Sequence, residues 1–360
     1  MFEGFARVWA PVEVAGRLGS KPLAVRVAGE DVVLFRGAGG RPAALLDRCP
    51  HRGVALSLGR VGQDGCIECP FHGWRFDGAG ACREIPLNDV PREKRGRHAA
   101  TALPVRELGG LLWLFTGPDA EGGGEPHVPD GLIDPRLSRT VHAEDWNTHW
   151  TRAMENMLDF PHLPFVHRLT IGRDMRRALR PGSVMHVDTA ETPSGMQVHA
   201  RLDGQEQGAR LDWVRPNGMV LWINIPGRDL RMHVFCTPID AARTRMLLIA
   251  TRDFGRYNPL MRLSALFNRR ILLEDRAVVE SSRPAEVPEA HEEVSVATDR
   301  ATLAFRRYYQ RELRGSRADR PPTGHLQADG APPAGRLDGV VPAASLARNA
   351  MKKKDAIDMA

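Results

Sequence analysis

Residues 49–74, C-P-H-R-G-V-A-L-S-L-G-R-V-G-Q-D-G-C-I-E-C-P-F-H-G-W, decide how the chain is read. They open on Cys49-Pro50-His51 and close on Cys69-Pro70-Phe71-His72, so a C-x-H and a C-x2-H are separated by residues 52–68. Two thiolates and two imidazoles, each pair at the tip of a short turn between strands, can converge on one metal centre. Ligands of this softness suit an iron–sulfur cluster or zinc. Cys66 keeps zinc open, because Cys66-x-x-Cys69 is a spacing that structural zinc sites use; Cys49 and His51 would complete such a site and His72 would be spare. The symmetry of the two pairs favours a cluster in which one iron takes both Cys and the other both His.

Working outward, Val8 to Phe115 consists of short β-rich runs such as Leu23–Val27, Asp31–Phe35, Ala43–Leu46 and Leu111–Phe115, separated by Gly-containing turns. A small all-β domain over 1–116 follows. Residues 117–131 are rich in Gly, Pro and acid, the composition of a linker. Beyond it, near-helical spacing of Trp146, Trp150, Met154 and Met157 predicts a helix over Trp146–Leu158, ended by Pro161 and Pro164. Alternating segments at 184–187, 197–202, 211–213, 220–225, 231–237 and 246–251 then predict an antiparallel sheet. Helices are expected over Leu260–Ser281 and Ala297–Leu313. The reading is an α+β chain with a second domain over 132–314 and a disordered tail over 315–360.

With 360 residues, of which 42% are hydrophobic, the chain can bury a sizeable core, and wholesale disorder is excluded. Five cysteines cannot form a disulfide framework in so long a chain, and metal binding or free thiols are expected instead. No apolar run is long enough for a membrane span, and the start MFEGFARVWAPVEV has no secretory pattern, so a cytoplasmic location is expected. The net charge of +6 invites a nucleic-acid reading, which the motifs do not support.

Residues 155–167 hold a second constellation, Asp159, His162 and His167, spaced D-x2-H-x4-H where proline breaks the helical pattern. Alone it is a weak signal. Its company changes its weight. Residues 8–116 resemble the Rieske [2Fe-2S] domain, with Gly73 and Trp74 also on pattern. Followed by N-x2-D-x2-H-x4-H, the chain resembles the terminal oxygenase (alpha) subunits of the Rieske non-haem iron oxygenases over most of 8–315. Its size is similar to the hydroxylase and demethylase group that includes vanillate and dicamba O-demethylases.

The resemblance implies that Cys49 and Cys69 ligate one cluster iron and His51 and His72 the other. It implies a mononuclear Fe(II) on His162, His167 and a carboxylate of the later helix, Asp275 before Glu274 or Glu280. Asp159 would bond His162 and reach His72 of a neighbouring chain, which requires a head-to-tail ring, expected as a homotrimer. Asn156 either lies near the iron or only caps the helix end.

The implied activity is oxygenation with O2 and electrons from a separate ferredoxin or NAD(P)H-dependent flavin reductase, since no Gly-rich nucleotide fingerprint is present. Hydroxylation or oxidative demethylation of an aromatic or polycyclic substrate is favoured over ring dihydroxylation. Readings of another class are a Rieske electron-transfer protein without oxygenase activity, and a zinc-stabilised binding protein. A substrate pocket is expected among Trp213, Trp222, Asn224, His233 and Phe235. Arg48, Arg52 and Arg75 are expected to form a basic face for an acidic ferredoxin.

Overall fold

Glycine-punctuated apolar runs become strands throughout the first third of the chain. The computed structural model describes residues 1–88, 90–119, 123–205, 208–255 and 263–314. The tail expected over 315–360 lies outside them. Eleven strands come first: β1 (Trp9–Val14), β2 (Leu23–Val27), β3 (Glu30–Arg36), β4 (Pro42–Leu46), β5 (Arg60–Val61), β6 (Ile67–Glu68), β7 (Arg75–Phe76), β8 (Cys82–Glu84), β9 (Ala102–Leu103), β10 (Val105–Leu108) and β11 (Leu111–Phe115). They form antiparallel sheets ordered β1-β11-β10, β2-β3-β4-β9 and β5-β6-β7-β8.

β3 explains how these sheets stack. Successive strand side chains point to opposite faces, and the run Val32-Val33-Leu34-Phe35 is apolar at every position because both faces are covered. Val32 and Leu34 pack with Val12, Leu112 and Leu114. Val33 and Phe35 pack with Cys49, Ile67, Cys69 and Phe76 under the two Cys- and His-bearing loops.

The remainder begins with α1 (Asp130–Ile133), β12 (Ser138–Trp146), α2 (Trp150–Met157), α3 (Leu163–Val166) and α4 (Arg173–Ala178). Six strands follow: β13 (Met185–Thr192), β14 (Gly195–Leu202), β15 (Ala209–Val214), β16 (Gly218–Trp222), β17 (Leu230–Pro238) and β18 (Thr244–Arg252). Last come α5 (Leu263–Val279) and α6 (Arg300–Tyr308). β12 returns to pair with β18, giving one antiparallel sheet ordered β12-β18-β17-β16-β15-β14-β13. Its central strands are covered on both faces. One carries Val198, Leu211, Met219, Val234 and Leu248 against α2, α5 and α6. The other carries Phe235, Leu247 and Ile249 against Trp9, Trp113 and Leu132.

Several expectations are corrected. The helix expected from Trp146 starts at Trp150, with the His149 side chain accepting a hydrogen bond from Thr151 N at its N-terminus. Trp146 instead closes the β12 ladder opposite Thr244, and β12 itself, which reads S-R-T-V-H-A-E-D-W with weak alternation, was not foreseen as a strand. Pro164 lies in the first turn of α3, where a missing N–H costs nothing, so it starts a helix rather than ending one. The helix expected over Ala297–Leu313 is α6 flanked by a tight turn at Ala297–Asp299 and a wide one at Tyr309–Arg314.

Candidate metal centres

Two loops of the same geometry carry the first constellation. Cys49 N donates to Val54 O at 2.8 Å and Gly53 N to Cys49 O at 2.9 Å; Cys69 N donates to Trp74 O at 2.8 Å and Gly73 N to Cys69 O at 3.1 Å. Each loop closes on a glycine in the left-handed region, Gly53 at φ +72° and Gly73 at +71°, where a Cβ would be strained. The histidine stands third in one loop and fourth in the other, yet the His51 and His72 ring centroids lie 4.6 Å apart. His72 is therefore not spare, as the zinc reading required. Cys49 and Cys69 are buried, whereas His72 is exposed. Burial, with Cys69 alongside, pushes the Cys49 thiol up to about 11, so a bound cation must draw off its proton.

Trp74 stacks on His51 at 4.6 Å and 3°, and His98 meets Trp74 edge-on at 5.4 Å. His51 Nδ1 is buried without a hydrogen-bond partner, an expensive state for a nitrogen that binds nothing. This donor set fits a [2Fe-2S] cluster. Cys66 sits beside Asp64, whose carboxylate accepts from Cys66 N at 3.2 Å, and burial raises its thiol to about 11. Of the expected docking arginines, Arg48 and Arg52 are exposed, whereas Arg75 is engaged by Asp64 and Glu84 at 2.6 and 3.1 Å.

The second constellation closes between segments more than 100 residues apart in the chain. His162 and His167 flank the short α3, and Asp275 comes from α5. On that helix Asn268, Leu272, Asp275 and Val279 recur on one buried stripe, which is why Asp275 faces inward. The ligand atoms of His162, His167 and Asp275 all lie within 4.8 Å of one another. His167 Nε2 is 3.0 Å and His162 Nε2 3.6 Å from Asp275 Oδ1. Asp275 Oδ1 nonetheless has no hydrogen bond. Two imidazole nitrogens and one carboxylate oxygen, converging in a buried place, fit a facial set for one metal ion.

The opposite nitrogen of each ring is held by another acid. Asp159 Oδ2 accepts from His162 Nδ1 and from His162 N, both at 2.9 Å. Glu274 Oε2 lies 3.0 Å from His167 Nδ1 and accepts from Thr170 Oγ1 at 2.6 Å. Glu274, weighed in the sequence only as a rival ligand, is thus the counterpart of Asp159. Burial opposes its ionisation, but Thr170, His167 and Arg270 together hold it below the usual carboxylate range. Glu280 is elsewhere, accepting from Asn147 N and Arg276 Nε, each at 2.7 Å.

A cavity opens beside this site. Its sheet wall is formed by Leu211, Met219, Leu221, Met232, Val234 and Leu248; Phe160, Leu163, Ile171 and Leu272 close the helical side. The pocket expected among Trp213, Trp222, Asn224, His233 and Phe235 is corrected. A strand alternates faces at every residue, so His233 and Phe235 lie on the reverse face from Met232 and Val234. His233 is fully buried there, bonded to Thr251 Oγ1 at 3.0 Å and pushed down to about 3 by burial. Trp213 shares the cavity face but packs further along it, against Phe305 and Tyr308.

Residues 8–95 match the Rieske [2Fe-2S] domain family and residues 146–314 the vanillate O-demethylase oxygenase C-terminal domain family. The methylxanthine N3-demethylase NdmB of Pseudomonas putida is 30% identical over 322 residues, covering 84% of this chain and 88% of that protein. The 4β-methylsterol monooxygenase of Methylococcus capsulatus is 36% identical over 171 residues, 44% of each chain. Among solved structures, dicamba monooxygenase bound to 3,6-dichlorosalicylic acid superposes with a TM-score of 0.75 at 23% identity, covering 87% of this chain and 98% of that one, a likeness of fold. NdmA from Pseudomonas putida CBB5 gives a TM-score of 0.72 at 26% identity over 87% and 91%. A relative matched along nearly its whole length, with both halves assigned in order, leaves one placement: the chain belongs to the Rieske non-haem iron oxygenases, as an oxygenase component of the demethylase and hydroxylase kind.

Proposed function

We propose that this oxygenase monooxygenates an organic substrate in the cavity beside His162, His167 and Asp275, by hydroxylation or by oxidative demethylation. The observation that supports this most is Asp275 Oδ1, buried, unbonded and within 3.6 Å of both histidine Nε2 atoms. When bound, a mononuclear iron supplies O2 activation and a [2Fe-2S] cluster on Cys49, His51, Cys69 and His72 supplies the second electron. The chain's own groups set the conditions. Asp159 and Glu274 keep protons on the Nδ1 atoms of His162 and His167, so that both Nε2 lone pairs face the metal. The apolar walls exclude water from the oxidising site.

Electron entry requires a neighbour. His72 is exposed, and the depression around it is lined by His51, Phe71, Trp74, Leu87 and His98, all from the cluster-bearing half. Asp159 borders both the cavity and a surface depression with Val278 and Val294. In a head-to-tail trimer, Asp159 of one chain would join His162 to His72 of the next. The domain division at 117–131, the cytoplasmic location and a separate ferredoxin or flavin reductase belong to the same reading. Among the described residues no helix is long and apolar enough to cross a membrane.

The test is metal analysis of anaerobically purified protein. Three irons and two sulfides per chain are expected, with His162→Ala dropping to two irons while the cluster spectrum persists. Two irons in both proteins would leave an electron carrier.

A further inference from the structure

We infer that the substrate is an uncharged, largely hydrocarbon molecule offering one hydrogen-bond acceptor to Asn156; this rests on the cavity being the oxygenation site. The sheet wall is built from cross-strand rows. Leu211 pairs with Leu221 and Leu221 with Met232; Met219 pairs with Val234 and Val234 with Leu248. Every one of these side chains borders the cavity. Beside the cavity, the strand period places Arg210 and Arg231 on the reverse face from Leu211 and Met232. Arg210 and Arg231 lie over the Trp222 ring at 4.5 and 4.1 Å, and their carboxylate partners are Asp212 and Asp229. No rotamer change brings either guanidinium into the cavity, because that would need a one-residue slip of register.

Among the described lining residues, His162, His167, Asp275 and Asp159 are committed to the metal site, and the remaining polar side chain is Asn156. Among the described residues, no lysine, arginine, serine, threonine or tyrosine lines the cavity. A substrate carboxylate or sulfonate would meet no cationic side chain among them, and a buried anion left unpaired by the protein is strongly disfavoured. Asn156 Nδ2, in contrast, is buried without an acceptor. A buried amide donor left unpaired is costly, and an incoming carbonyl, ether or hydroxyl oxygen relieves it. Met157, Met219 and Met232 add unbranched, polarisable side chains that adapt to the outline of an apolar guest.

The experiment uses iron-loaded holoenzyme under anaerobic conditions and three probes of similar shape: camphor, its hydrocarbon bornane and camphor-10-sulfonate. Calorimetric or NMR titration is expected to show camphor binding at least ~100-fold more tightly than the sulfonate. In Asn156→Leu the camphor-to-bornane affinity ratio should fall roughly fivefold to tenfold, with bornane binding retained as the check on folding. Leu221→Arg should weaken camphor and strengthen the sulfonate. Sulfonate binding as tight as camphor in the wild type overturns the neutral class, and an unchanged camphor-to-bornane ratio in Asn156→Leu overturns the acceptor role. The outcomes separate from the oxygenase reading: selective camphor binding in protein that holds two irons per chain would sink that reading and leave the cavity assignment standing. Three irons with sulfonate preferred would do the reverse.

Discussion

Glu274 offers the sharpest quantitative test of the mononuclear site, because it touches no metal position and acts through His167. Its Oε2 accepts from His167 Nδ1 at 3.0 Å and from Thr170 at 2.6 Å, while Oε1 lies 3.4 Å from Arg270 Nε. In Glu274→Gln the amide oxygen can keep the first two bonds. The amide nitrogen then faces Arg270, whose side chain is 60% exposed and can swing away. What is lost is mainly the negative charge behind a buried imidazole. In Glu274→Ala both the charge and the orienting bond go. Outer carboxylates on ligating histidines are worth ~10 to 100-fold in metal affinity, so Gln should weaken Fe(II) binding about tenfold and Ala about a hundredfold, or ~1.4 and ~2.7 kcal/mol. Competition of anaerobic Fe(II) against a chromophoric chelator measures this, with the visible cluster spectrum as internal control. Equal affinity in wild type and Ala would refute the orienting role, and loss of the cluster signal alongside the iron would show a general collapse instead.

Three further outcomes are expected. Asp159→Asn keeps the bond to His162 in neutral form, so iron and sulfide contents should hold within error while rapid-mixing electron transfer from cluster to mononuclear iron slows by orders of magnitude; unchanged transfer would remove the bridging role. At Gly172 an added Cβ would lie 1.8 Å from Leu163 O, a backbone atom of the His162–His167 segment that cannot give way, so Gly172→Ala should lower stability by about 1–3 kcal/mol. Elemental analysis of that variant should also show mononuclear iron lost and cluster iron kept. Finally, Glu293 joins Arg152 at 2.7 Å and Arg306 at 2.5 Å, bracing α2 against α6, and Glu155 bonds both arginines. With Glu293 itself a third exposed, Glu293→Ala should cost about 2–4 kcal/mol in denaturant unfolding, less than a fully buried pair; a change below ~0.5 kcal/mol would show the network is redundant.

Much of this protein is legible in one dimension because its chemistry is local. The cluster loops are set within six residues each, by Cys49 to Val54 and Cys69 to Trp74, and their closing glycines are demanded by positive φ. The spacing of His162 and His167 is weak alone and gains weight only from the resemblance, whereas the strands β13 to β18 were each foreshadowed by alternation. Three things were not. β12 carries too weak a pattern, since its identity comes from pairing with β18 across about 100 residues. The cavity face was misread because alternation tells which residues share a face but not which face receives the helices. The resemblance puts Asp275 ahead of Glu274 as the candidate ligand, but the part of Glu274 is not in it: the packing of α5 turns Glu274 to His167 Nδ1 and brings Asp275 to the two Nε2 atoms. The sequence by itself determined the two candidate ligand sets and their order along the chain; the place of Glu274 behind His167, and which side of a two-faced sheet borders the cavity, were decided by tertiary packing, because both depend on contacts between segments whose patterns allow either answer.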